Sequence, residues 1–252
     1  MAYSSGGGRR AVIVALVDMF DTLKPPGLDA LMIIVAGLGA TLVIVQPFTS
    51  PSYMLSYALD PTLFAATIFL ALRGAAGITG LVESGVMQAF LSYPLSRTHI
   101  AAALYASRIL APSIIILGAP TATIAIAMWP LVSQDPAEFI ATYAAYLAQA
   151  LMYGSVFMLI ALISKTPGTS GVLSVAFYFA YTVLLGLLLY IVGRAAGVEL
   201  LQRVAEASYL PGIALIYYGG GSIEIWQPLM VPFLLVASLA VVYLYFTRRF
   251  EP

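Results

Sequence analysis

The sequence predicts an all-α polytopic membrane protein. Hydrophobic residues make up 62% of it, charged residues only 9%, and mean hydropathy is +0.98. A soluble domain carries about 25% charged residues, enough to cover its surface. Long apolar runs recur along the chain, and the lysines and arginines fall unevenly in the segments between them. Formal net charge is zero, so no basic field points to nucleic acid as a partner. With no cysteine, disulfides and thiolate metal sites are excluded.

The first ten residues, MAYSSGGGRR, are polar and glycine-rich and do not resemble a secretory signal. Residues 10–23 place Ile13, Leu16, Val17 and Phe20 on one helical face, with Asp18 and Asp21 turned away. That pattern predicts a helix lying in the inner membrane interface, ended by Lys24, Pro25, Pro26 and Gly27. The plainer alternative, a continuation of the first span, is opposed by the two prolines.

Spanning a bilayer takes about 20 mostly apolar residues. Six segments qualify: 28–46, 61–82, 99–128, 137–163, 170–193 and 225–247. Pro112 and Pro120 are expected to kink the third. With the amino terminus inside, the inner regions hold Arg9, Arg10, Lys24, Arg73, Arg97, Arg108, Lys165, Arg248 and Arg249, and the outer ones only Arg194 and Arg203. This asymmetry predicts six spans with both termini cytoplasmic. Tyr53, Tyr57, Trp129, Tyr217, Tyr218 and Trp226 then fall at outer ends, where amphipathic rings favour the headgroup layer. The outer stretch 194–224 contains VELLQRVAEASYL, with apolar residues at helical spacing, and is expected to form a short helix capping the outer face.

The residues that usually carry chemistry are sparse. His99 is the single histidine, a poor basis for a metal site. Neither a nucleophile elbow nor a Gly-x-x-x-x-Gly-Lys-Ser/Thr phosphate loop occurs, so any ATP hydrolysis belongs on another chain. The acidic residues, Asp18 and Asp60 among them, read as lying near or outside span boundaries, which counts against an ion-coupled carrier. Arg73 reads as the one charge inside a span, placed either to snorkel or to contact an anionic lipid or substrate.

Between the second and third spans lies ESGVMQAFLSYPLSR, Glu83 to Arg97. Val86, Phe90 and Tyr93 share one helical face, and Met87 and Leu91 an adjacent one. Two readings are open from the residues alone: an amphipathic hairpin resting on the inner leaflet, or a helix gripped by a partner. The stretch resembles the signature of permease subunits of type 2 ABC transporters (the ABC-2 exporter class), matching at Glu83, Gly85, Leu91, Ser92, Pro94, Ser96 and Arg97. That family often carries an acid where this chain has Gln88.

The resemblance implies that Glu83, Gly85, Val86, Phe90, Leu91, Pro94 and Arg97 belong to a cytoplasmic coupling helix docked on a separate ATP-binding subunit. It implies that 10–23 is the elbow helix. It further implies two ATP-binding subunits holding ATP and magnesium, a second permease subunit, a substrate path between the permeases, and no covalent chemistry in this chain. A passive channel or ion-coupled carrier is the alternative.

Overall fold

The computed structural model describes residues 12, 13, 15–20, 22, 34, 35, 37, 39, 41, 48, 50–92 and 96–248. All regular structure among them is helical. Five helices are long and apolar enough to cross a bilayer: Pro51–Glu83 (α1), Arg97–Ala127 (α3), Pro136–Ile163 (α4), Pro167–Ala196 (α5) and Met230–Arg248 (α8). The shorter helices Val86–Ser92 (α2), Glu199–Ala207 (α6) and Leu210–Tyr218 (α7) join them. The chain is thus an all-α, multi-pass membrane protein. The expected span 28–46 lies largely outside the described residues. Its residues 34, 35, 37, 39 and 41 are helical, and a Cβ on Gly39 would meet Ala58 at 3.3 Å and Pro120 at 3.6 Å.

The long helices alternate in direction. Ser52 at the start of α1 donates its backbone N–H to Glu138 at the start of α4, at 2.8 Å. Gly80 near the end of α1 faces Pro167 at the start of α5. Thr98 at the start of α3 and Tyr243 near the end of α8 line one cavity. The bundle therefore has a Pro51 end and a Glu83 end.

Helix α1 corrects the sequence expectation. The expected spans 28–46 and 61–82 leave 47–60 as the connection between them, with the second span opening at Pro61. Instead the helix begins at Pro51 and runs through Pro61. Met54, Leu55, Ala58 and Leu59 explain this: all are fully buried, in a cluster shared with Leu117 and Ile124 of α3 and Tyr146 of α4. Close packing of these side chains against α3 and α4 outweighs the turn preference of an Asp-Pro step. Glu138, itself buried, stands at the helix start and takes the Ser52 N–H and the Ser50 hydroxyl. It satisfies one of the unpaired donors of the first turn and complements the helix dipole.

Helix α4 is the hub. It packs against α1, α3, α5, α7 and α8. Its Tyr153, Phe157 and Met158 join Leu70 and Ile78 of α1, Leu104 and Ile109 of α3 and Phe246 of α8 in a second core nearer the Glu83 end. Helix α5 is the least buried of the five, with Ser170, Gly171 and Ser174 buried near its start and Gly193 near its end.

Two π-helical segments face each other, Leu70–Ala75 in α1 and Ala106–Leu110 in α3. The second ends two residues before Pro112, whose missing N–H disturbs the helical ladder there. Glycines let the helices close: a Cβ on Gly74 would sit 3.0 Å from the Arg108 carbonyl oxygen, and one on Gly77 would overlap the Arg108 guanidinium.

The amino-terminal helical residues within 12–22 expose Val12, Ile13, Leu16, Val17 and Phe20, the face a lipid layer would cover. Asp18 does the opposite of what its sequence position suggested. It is buried against the bundle and paired with Arg108. Asp21 lies outside the described residues.

Candidate functional site

The segment from Glu83 to Arg97 opens with an exposed Glu83 at the end of α1. Gly85 follows with φ +75, a left-handed conformation that only glycine adopts without strain. Its N–H donates to the Val82 carbonyl at 3.1 Å, and Ser84 N–H donates to Gly80 at 3.0 Å. These bonds close α1 and let α2 start in a new direction.

In α2, Met87 is fully buried, and Phe90 and Leu91 are half-buried against the core near the Glu83 end. Val86, Gln88, Ala89 and Ser92 are exposed. The expected Val86–Phe90 face is therefore split, with Phe90 and Leu91 turned partly inward and Val86 outward. Tyr93 and Pro94 lie outside the described residues. Ser96 caps α3 by accepting the His99 N–H, and its hydroxyl also meets His99 Nδ1. Arg97 is exposed at the first position of α3.

Arg73 sits on the π segment of α1 and is exposed. With Thr22, Leu72, Gly77, Arg108 and Pro167 it borders an open pocket of about 430 Å³. Its carbonyl oxygen lies 3.5 Å from Arg108 Nη1. The expectation that Arg73 is the one charge inside a span does not hold. Arg108 lies in the interior of α3 and is buried. Its Nε donates to Asp18 Oδ2 at 2.9 Å and to Oδ1 at 3.1 Å, and Ser107 donates to the same carboxylate.

A second polar site was not visible in the sequence. Asp60 stands nine residues along α1 from Pro51, about 13 Å down the helix. Its Oδ1 accepts the hydroxyls of Tyr146 from α4 and Tyr209 from the link between α6 and α7. The two rings meet edge to face, with centroids 6.5 Å apart. The α6–α7 link is held in place from below. Buried Gln149 accepts the Leu210 N–H at 3.0 Å and donates to the Ser208 carbonyl, and Tyr181 donates to that carbonyl at 3.0 Å. Burial first, then the neighbouring Tyr146 and Asp60, raises the Tyr209 phenol above its ordinary range, so it stays a hydrogen-bond donor.

No family model and no curated protein matches this sequence.

The only sequence signal for the Asp60 site is the acid itself. It falls at the boundary of the expected span 61–82, and its tyrosine partners stand 86 and 149 residues away. At the Pro51 end, Arg203 joins Glu199 and Glu224, and Trp226 Nε1 donates to Glu224. These pairs tie α6 to the loop leading into α8. Among the described residues, no group of three or more histidine or acidic side chains gathers as metal ligands would.

Proposed function

We propose that this chain is the membrane-spanning permease subunit of an ATP-driven exporter of the ABC-2 class. In this reading it has six spans with both termini cytoplasmic, sits in the plasma membrane, and pairs with a second permease copy. Two ATP-binding subunits, carrying ATP and magnesium, complete the assembly. The observation that carries the reading is α2. It is a separate short helix between two long helices, set off by the left-handed Gly85, rooted in the core by Met87 and presenting Val86 and Ala89 outward.

Physically, a root in the core is what a lever needs. Closure of two ATP-binding subunits would push α2, and Met87 would pass the displacement to α1 and α3 as a rigid-body shift. Arg73, in its pocket near the Glu83 end, contacts anionic lipid in this scheme. The test is a mild-detergent pull-down of the tagged protein from its native membrane with a vanadate-sensitive ATPase assay. A stoichiometric ATP-binding subunit is the expected result. An oligomer of this chain alone, with no ATPase in several detergents, would overturn the reading.

One observation favours a second reading, a cation-coupled carrier. Asp60 stands nine residues inside a helix long enough to span, where it binds two tyrosine hydroxyls, and an acid within such a helix is what a cation-coupled carrier uses.

A further inference from the structure

We propose that Asp60 is the anionic centre of a binding site for organic cations: an ammonium group carrying aromatic or alkyl bulk. The inference rests on the transport reading above only in treating the bound cation as cargo.

The carboxylate is exposed although it belongs to a membrane-spanning helix. A bare carboxylate facing hydrocarbon is strongly unfavourable. Among the described residues no lysine or arginine forms an ion pair with it. Both tyrosine donors act on Oδ1, and Oδ2 takes no hydrogen bond among the described residues. The site is thus oriented but not neutralised.

Its surroundings select the ligand. Phe64, one helical turn further along α1, is 46% exposed, and its ring lies 5.9 Å from Tyr178 and 6.4 Å from Phe179 of α5. Tyr57, one turn in the other direction, is 42% exposed. A negative group with exposed aromatic side chains one turn away on either side matches an organic cation, whose charge is attracted to both the carboxylate and the ring quadrupoles. An inorganic divalent ion would need several hard oxygen ligands, and one carboxylate with two protonated phenols is a poor set. Anionic cargo is disfavoured by the charge itself.

The experiment uses the purified full chain in lipid nanodiscs, with benzyltrimethylammonium and its uncharged isostere neopentylbenzene as probes, read by calorimetry. The cation is expected to bind, and the isostere at least about tenfold more weakly. Asp60→Asn keeps an oxygen for the two tyrosines but removes the charge. It should weaken cation binding about tenfold and leave the isostere unchanged. Phe64→Ala should weaken the cation by about two- to fivefold.

Carbodiimide modification of Asp60 in the unsubstituted protein, followed by mass spectrometry, removes any dependence on variants that fold poorly. Saturating cation should protect the residue. Equal cation binding by Asp60→Asn and the parent, or no protection at saturation, would overturn the proposal. Cation binding with no ATP-binding partner recovered leaves the site standing and removes the exporter reading. A recovered partner with no cation binding does the reverse.

Discussion

Arg108 and Asp18 meet through a two-pronged contact between buried groups, the Arg108 Nε lying 2.9 Å and 3.1 Å from the two carboxylate oxygens. Their side chains are 7% and 5% exposed. The pair fixes the amino-terminal helix to the π segment of α3, and Thr22 adds a bond back to the Asp18 carbonyl at 2.9 Å. Removing one member of a buried pair strands the other charge, a loss of about 3–5 kcal/mol.

Asp18→Ala should therefore lower the thermal midpoint in detergent sharply, while Asp18→Ala combined with Arg108→Met should recover most of the loss. An uncharged pair avoids the stranded charge. A single variant as stable as the parent would show that the pair contributes nothing.

Gly77 faces the same guanidinium. Gly77→Ala should displace Arg108 from Asp18 and destabilise by about 1–3 kcal/mol. Gly80→Ala is the control, because its Cβ would meet only Pro167 at an ordinary 3.8 Å. Equal midpoints for the two variants would refute the close-packing account.

In α2, Val86→Asp changes an exposed side chain and Met87→Asp a fully buried one. The first should abolish co-purification of an ATP-binding subunit while size-exclusion profiles stay monodisperse. The second should reduce the folded yield itself, by placing a charge in the core near the Glu83 end. Retention of the partner by a folded Val86→Asp would remove α2 as the docking element.

The chain's lack of cysteine makes topology measurable. Ser208 lies in the expected outer stretch, but it is 2% exposed and would report burial rather than sidedness. Ser222 is exposed. Ser222→Cys should react with an impermeant maleimide in intact cells. Reaction only after permeabilisation would invert the topology.

The helical character and four of the expected spans were legible because each is a continuous apolar run bounded by polar turns. The helices at 97–127, 136–163, 167–196 and 230–248 lie within a few residues of the expected 99–128, 137–163, 170–193 and 225–247. The expected helix in 194–224 is also present, as α6 with α7 after it. Local signals misled at Asp60–Pro61. A polar residue followed by proline reads as a helix start, yet contacts with α3 and α4 carry the helix back to Pro51. The ion pair and the tyrosine–aspartate site were invisible for a different reason. Their members are between 86 and 149 residues apart, and nothing in a local pattern records such distant meetings. Met87 could not be separated from Val86 by periodicity either, because a seven-residue helix leaves the direction of its inner face to tertiary packing.

The separation of Asp18 and Arg108 also bears on biogenesis. Asp18 emerges from the ribosome ninety residues before its partner. Until α3 enters the bilayer, the amino-terminal helix has no counter-charge to dock against and must wait at the surface with its carboxylate in water. Docking of that helix thus waits on the synthesis of α3, ninety residues later. A nascent chain arrested before α3 would hold Asp18 without its counter-charge.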